Sequence, residues 1–137
     1  MDARLLARLS AVTPEEEAIL RGERRVQKDL YSDSADFTIE SRKMIGEALV
    51  RLRCHTRFIE FPEHTHDYIE MVYMCAGETS HVINGTTPVT IRAGEILILN
   101  QHASHAVHAA GREDIAVNFF MKPAFLDVAL GLSLIHI

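Results

Sequence analysis

Two different hydrophobic periods divide the chain near residue 48. Leucines recur at helical spacing in the first ten residues, and Thr13, Pro14 and Glu16 match an N-cap, a first-turn proline and a capping box. After residue 48, apolar and polar residues alternate in short runs that turn residues separate, as in β-strands. We therefore expect short helices within residues 2–30 and a β-rich part after them.

The β-rich part contains many short strand patterns with frequent turns. The predicted strands cover residues 37–39, 48–54, 56–61, 67–75, 78–83, 86–92, 95–99, 106–109 and 115–121. Asn84-Gly85 is a strong two-residue hairpin turn. Many short strands of this kind indicate a mainly β fold, a sandwich or a barrel.

The same patterns suggest three parts of the chain. Residues 1–47 are expected to form a helical and irregular extension that packs on the barrel, and residues 48–122 the barrel itself. Helical spacing in residues 123–137 indicates the start of a further helix, which ends on an apolar, uncharged sequence. This ending suggests a fragment of a longer protein. The last six residues, 132–137, resemble a translated sequencing adaptor, which leaves open that they are not native.

Charge and composition exclude several classes of function. The net charge is −5, and residues 61–137 contain 3 basic and 8 acidic side chains. The β-rich part therefore cannot present a strongly basic surface, which argues against nucleic-acid binding by it. The N-terminus lacks the apolar run of a signal peptide, and no stretch reaches membrane-spanning length. We expect a cytoplasmic protein that does not enter membranes.

Candidate chemistry concentrates in the stretch from His64 to Gly77. In extended chain, side chains alternate between faces, so His64, His66 and Glu70 are expected on one face. Two imidazoles and a carboxylate suit a transition metal. The other residues of that parity are expected to line the same space: Tyr68, Val72 and Met74. The opposite face is also apolar, so we expect the N-terminal helices or a partner chain to cover it.

The spacing His64-x-His66-x3-Glu70-x6-Gly77 resembles the first motif of the cupins, small double-stranded β-barrels of the jelly-roll type. Gly94 and His105 match the second cupin motif. The resemblance implies that His64, His66, Glu70 and His105 occupy the four ligand positions of the family. Other positions of the two motifs depart from the pattern: Phe58, Asn100, His102 and Ala109.

A closer resemblance, over about residues 48–130, is to the N-terminal domain of AraC-type transcriptional regulators. It rests on His66-Asp-Tyr-x-Glu-Met-Val-Tyr73, on Asp114-Ile-Ala-Val-Asn-Phe-Phe120, and on Pro123-x-Phe125. It implies a barrel that binds a small-molecule effector, often a sugar, and helices after the barrel that form a homodimer. In that family DNA is bound by a C-terminal pair of helix-turn-helix motifs, which this sequence does not include.

Several alternatives remain open at this stage. The quartet could hold Mn, Fe, Ni, Zn or Cu, or it could be a hydrogen-bonded polar cluster without metal. A metal-dependent cupin enzyme, such as a dioxygenase or isomerase, is the alternative to a sensor domain. A purely scaffolding or dimerising barrel is the third. Asn118 could face the pocket and bind a ligand hydroxyl, or face outward.

The remaining polar residues of the β-rich part are expected at the surface. The extra histidines are interpreted as exposed, and the arginines of the early strands as a solvated face. These residues are His81, His102 and His108, and Arg51, Arg53 and Arg57.

Overall fold

A computed structural model describes residues 1–128 of the chain. The first 47 residues form short helices joined by irregular segments: α1 (Ala3–Leu9), α2 (Pro14–Leu20), a 3-10 turn (Lys28–Leu30) and α3 (Ser41–Met44). Helix α2 has the predicted capping box, in which Thr13 and Glu16 bond to each other's backbone N–H. The helices predicted within residues 2–30 are present, but residues 21–27 are not helical.

Nine strands lie within the described residues. They are β1 (Thr38–Ile39), β2 (Val50–Cys54), β3 (Phe61–His66), β4 (Ile69–Ala76), β5 (Glu78–Ile83), β6 (Thr87–Arg92), β7 (Ile96–Leu99), β8 (His105–Val107) and β9 (Ile115–Met121). They form a five-stranded sheet in the order β1-β3-β8-β5-β6 and a four-stranded sheet in the order β2-β9-β4-β7. Apart from the parallel pair of β1 and β3, the strands are antiparallel. This cupin-type jelly roll confirms the predicted mainly β fold.

One predicted strand was wrong by about five residues. Residues 55–60 form a loop, and the strand is β3, which starts at Phe61 and includes Pro62. Phe58 takes a positive φ of 74°, which breaks extended backbone there. It occupies the position at which the cupin motif has glycine, the residue that adopts this conformation without steric cost. Pro62 is tolerated because the pairing of β3 with β8 is irregular between Phe61 and His64.

A buried ion pair fastens the N-terminal extension to the sheets. The Arg57 guanidinium donates to both carboxylate oxygens of Glu16, at 2.8 and 3.0 Å, and to the carbonyl oxygens of Ser10 and Arg112. The Arg57 side chain is only 3% exposed, so the expectation of a solvated arginine was wrong for this residue. Arg57 is buried because it joins three segments whose contact cannot be read from local sequence.

Two apolar clusters flank the interior between the sheets. The larger one joins the extension to one end of the sheets and contains Val26, Tyr31, Phe37, Ile39, Met44, Ile45, Phe61, Tyr68, Val107 and Phe120. The smaller one lies at the other end and contains Val72, Met74, Ile91 and Ala116. Between them the interior is polar, so burial of apolar surface at both ends holds the fold around a polar centre.

The outer face of the four-stranded sheet is apolar, as the alternation predicted. Helix α1 lies over part of it and leaves a gap of about 370 Å³. Apolar side chains farther along the face stay open to solvent, among them Ile98, which is 64% exposed.

The described part of the C-terminal segment agrees with its predicted secondary structure. Residues 123–128 are helical, and the rest of the predicted helix, with residues 132–137, lies outside the described residues. Over residues 1–128, the helices are all too short or too polar to cross a membrane.

Replacing Arg57 by Ala should destabilise the fold by about 3–5 kcal/mol, because Glu16 would keep a buried charge without its partner. Urea denaturation followed by circular dichroism measures this loss. Arg42→Ala is the matched control, since Arg42 also pairs with two carboxylates, those of Asp33 and Glu40, but at the surface. Similar losses in the two variants would contradict a dominant role for the buried pair.

Candidate functional site

The histidine pair and the glutamate reach the interior from two different sheets. His64 and His66 lie on β3, the chain bends at Asp67 and Tyr68, and Glu70 lies on β4 of the other sheet. The alternation along the sequence predicted that these residues share one face of a single extended strand, which is wrong because they lie on two strands of different sheets. It still selects the inner side chains, because the inner faces of both sheets line one interior. His64, His66, Tyr68, Glu70, Val72 and Met74 are all buried.

His105, on β8, completes a cluster around the Glu70 carboxylate. Its Nε2 atom lies 3.1 Å from Glu70 Oε2, and His66 Nε2 lies 3.5 Å from the same oxygen. Ligand atoms of His64, Glu70 and His105 lie within 4.8 Å of one another. The structure therefore brings the four positions of the cupin motifs to one place.

Backbone carbonyl groups orient the two histidines of β3. His64 Nδ1 lies 2.8 Å from the carbonyl oxygen of Pro62, and His66 Nδ1 lies 2.6 Å from that of Tyr68. A carbonyl oxygen only accepts, so both rings must donate an Nδ1–H. Each ring thus has an Nε2 lone pair free to bind a cation.

The buried imidazoles favour their neutral form. Burial lowers the pKa of His64 to about 4 and also lowers the pKa of His66. Burial alone would raise the pKa of Glu70, but the surrounding imidazoles, His105 first, hold it below its ordinary value. At neutral pH the centre thus combines an ionised Glu70 carboxylate with uncharged rings of His64 and His66.

Two histidines that were not assigned to the site also face this interior. His81 was expected to be exposed, and it is 2% exposed. It lies on the same strand face as Thr79, and the hairpin at Asn84 places it opposite Val89. This pairing with an apolar residue is a sequence signal that could have indicated burial. His55 follows β2 and also lines the interior. His102 and His108 are exposed, as expected.

Asn118 faces the interior from β9, which resolves the open alternative. It is 8% exposed, and its Oδ1 atom has no hydrogen-bond partner among the described residues. His55 Nε2 likewise lacks one. An unpaired buried polar atom is costly, so both atoms are suited to contact a bound molecule.

A second polar group joins the N-terminal extension to β2 and to the loop after it. The Tyr31 hydroxyl donates to Glu15 at 2.6 Å, and Arg53 donates to Glu15 at 3.0 Å and to the Tyr31 oxygen at 2.7 Å. Thr56 also donates to Glu15. Arg53 is partly buried here, whereas Arg51 is exposed as expected.

The interior between the sheets is nearly filled. The cavity between the sheets, which His64, Glu70 and His105 help to line, has a volume of about 30 Å³, which suits an ion or a water molecule. Tyr31 and Ile39 of the N-terminal extension are part of its wall. A ligand of monosaccharide size therefore needs the wall to move.

The unpaired atoms around Glu70 fit a divalent metal ion. Glu70 Oε2, His66 Nε2 and His105 Nε2 are buried and have no hydrogen-bond partner among the described residues, although they face one another. The two Nε2 atoms lie 3.5 and 3.1 Å from Glu70 Oε2 without the alignment of hydrogen bonds, so a cation shared by the three atoms would satisfy them. Imidazole and carboxylate donors suit Zn, Cu, Fe, Ni or Mn.

A protein-family model, the AraC-like ligand binding domain, matches residues 48–122. The chain belongs to the AraC-like ligand binding domain family. A curated relative, the HTH-type transcriptional activator RhaS of Escherichia coli O81 (strain ED1a), is 37% identical over 60 residues. That match covers 44% of this chain and 21% of RhaS, so the chain spans about a fifth of the length of this relative.

Two solved structures illustrate what this AraC-like domain is similar to. KdgF from Halomonas sp. is 16% identical, with a TM-score of 0.46, and the match covers 53% of this chain and 67% of KdgF. An RmlC-like cupin from Shewanella frigidimarina is 21% identical, with a TM-score of 0.44, and the match covers 53% of this chain and 65% of that cupin.

The stability of the metal-free domain should decrease as the pH falls from about 6.5 to about 4. Burial lowers the pKa of His55 and of His64 to about 4. Between pH 6.5 and 4 these histidines are therefore protonated in the unfolded chain but not in the folded chain, which favours unfolding as the pH falls. Each such histidine contributes a slope of up to about 1.4 kcal/mol per pH unit. Urea titrations at several pH values, with a chelator present, measure the slope.

His64→Gln should reduce this slope, and His102→Gln, at an exposed histidine, should leave it unchanged. A free energy of unfolding that is constant between pH 6.5 and 4 would contradict neutral burial of these rings.

Proposed function

We propose that this domain senses a small polar effector, such as a sugar, for an AraC-type transcription regulator. The supporting observation is the set of unpaired buried polar atoms that converge on one interior, on Glu70, His66, His105, His55 and Asn118. Such atoms are the specific contacts of a small-molecule site, because a ligand satisfies them when it binds. Tyr68 and Val72, which line the cavity, would form the apolar part of the pocket. Met74, which was expected to line it as well, is buried in the smaller apolar cluster and is not part of the cavity wall.

Entry of the effector would move the N-terminal extension. The cavity is smaller than a monosaccharide, and Tyr31 and Ile39 of the extension form part of its wall. A ligand that binds only when this wall has shifted favours the shifted state. Effector binding would thereby change the position of residues 1–47 against the sheets, which is a signal that an attached domain can read.

A metal ion would be held by His64, His66, Glu70 and His105. When bound, it would supply a Lewis acid with coordination positions for effector oxygen atoms. The protein would contribute neutral imidazoles, an ionised carboxylate and a water-poor interior. Asn118 and His55 would contact the part of the effector that lies away from the metal.

The regulatory output would come from parts of the protein outside this chain. RhaS is a helix-turn-helix activator, and we extend that architecture to the present domain: a cytoplasmic homodimer whose DNA contacts lie in a C-terminal helix-turn-helix pair. The coding sequence that follows residue 137 is the direct check. If no helix-turn-helix pair follows, the regulator proposal fails.

The intact quartet also keeps a metal-dependent cupin enzyme, a dioxygenase or isomerase, as the second candidate. Turnover of a sugar or a catechol by metal-loaded protein would favour the enzyme. Saturable binding without turnover would favour the sensor.

A cognate effector at 100 times its dissociation constant should raise the free energy of unfolding of the full chain by about 2.7 kcal/mol. The thermal unfolding temperature should rise accordingly. A panel of neutral monosaccharides, tested with and without Zn²⁺ or Mn²⁺, would identify it by differential scanning fluorimetry. Glu70→Gln should abolish the shift, because it removes the charge at the centre of the cluster. Glu78→Gln, at an exposed glutamate that pairs with Arg92, is the matched control.

An effector shift that survives Glu70→Gln and Asn118→Ala unchanged would place the binding site elsewhere. A binding site in the gap of about 370 Å³ under helix α1 would contradict the proposal.

A further inference from the structure

His81 contacts the candidate cluster without belonging to the four cupin ligand positions. Both of its ring nitrogens have partners: Nε2 lies 3.0 Å from Thr79 Oγ1, and Nδ1 lies 3.4 Å from His105 Nδ1. The planes of the two imidazoles are nearly parallel, at 5°. Thr79, His81 and His105 are each at most 3% exposed, so water does not compete for these contacts.

One assignment of protons satisfies every contact along this chain of side chains. The Thr79 hydroxyl lies 3.3 Å from Met74 Sδ, which can only accept, so Thr79 satisfies this contact by donating to it. The reverse direction, in which Thr79 donates to His81 Nε2, would leave Met74 Sδ without a donor. Thr79 Oγ1 then accepts from His81 Nε2–H, and His81 Nδ1 is left as an acceptor. His105 must therefore donate its Nδ1–H to His81.

This assignment determines which nitrogen of His105 faces Glu70. With the proton on Nδ1, the Nε2 atom of His105 carries a lone pair. This atom lies 3.1 Å from Glu70 Oε2 and has no hydrogen-bond partner within residues 1–128. The carbonyl groups of Pro62 and Tyr68 impose the same tautomer on His64 and His66. For His105, a side-chain partner takes the place of a carbonyl group.

We propose that His81 is a positioning residue that, held by Thr79, fixes His105 in the Nδ1–H tautomer and so presents a third imidazole lone pair to a divalent cation beside Glu70. The inference rests on the metal site of the proposed function. It adds a residue that would tune the affinity for the ion without touching it. Outer hydrogen-bond partners of liganding histidines typically change metal affinity by 10–100-fold.

The test compares side chains that fill the same space but differ in hydrogen bonding. Zn²⁺ affinity of the full 137-residue chain is measured by competition with a chromophoric chelator. His81→Phe keeps a buried ring and removes the acceptor, and should weaken Zn²⁺ binding by about 10–100-fold. His81→Gln supplies an amide oxygen that can accept from His105, and should recover most of the loss.

Thr79 and an exposed histidine provide the controls. Thr79→Val should also weaken Zn²⁺ binding, because it removes the hydroxyl that orients His81. Thr79→Ser keeps the hydroxyl and should bind Zn²⁺ about as tightly as the parent chain. His108→Phe, the same change at an exposed position, should have no effect. Thermal unfolding of the metal-free variants separates loss of fold from loss of affinity. If His81→Phe does not fold, the Gln, Val and Ser variants still decide the question.

A second measurement reads the proton position directly. Long-range ¹H–¹⁵N correlation spectra of the zinc-loaded chain should show His81 protonated on Nε2 and bare on Nδ1. A proton on His81 Nδ1 would overturn the proposal, and so would a His81→Phe variant that binds Zn²⁺ as tightly as the parent chain. Absence of Zn²⁺ binding by the parent chain would overturn it too, whereas an effector shift without metal would leave the proposed function intact.

Discussion

The structure depends on a carboxylate that is buried at its centre. Glu70 faces imidazoles from two strands of the opposite sheet, and His66 Nε2 and His105 Nε2 lie within 3.5 Å of its Oε2 atom without hydrogen-bond partners in the described residues. Burial of a charge in this way is unfavourable unless a cation or a ligand compensates it. The apolar clusters pack on both sides of this centre, so the fold maintains an arrangement that a bound cation or ligand would stabilise further. This is the physical basis of the proposed binding role.

The N-terminal extension is part of this arrangement. Arg57 and Glu16 anchor it by a buried ion pair, while Tyr31 and Ile39 close the interior. Glu16 and the two wall residues belong to the same 47-residue extension, so under the proposed function the wall would move while the ion pair holds the extension in place. The proposed sensor role needs a wall whose position reports occupancy, and Tyr31 and Ile39 line the cavity as such a wall.

Much of the architecture could be predicted from local sequence. The capping box at Thr13 and Glu16, the hairpin at Asn84-Gly85 and the inward parity of Tyr68, Val72 and Met74 depend on neighbours within a few residues. The motif spacing brought His64, His66, Glu70 and His105 together for the same reason, since inward positions of short strands in a two-sheet fold converge on one interior. The position of Phe58 was the exception. It takes the backbone conformation that glycine favours, and this displaced the predicted strand.

Tertiary structure alone decided the environment of the other polar residues. Arg57 is buried because it meets Glu16, 41 residues earlier in the chain, and His81 is buried because β5 pairs with β8, 24 residues later at His105. Neither pairing can be read from the alternation within one strand, since a polar residue that alternates correctly can face solvent or the interior equally well. The sequence by itself determined the barrel family, the strand pattern and the four motif residues. The tertiary structure decided that they face a nearly filled interior, and that His81 contacts His105, because only folding brings distant strands into contact.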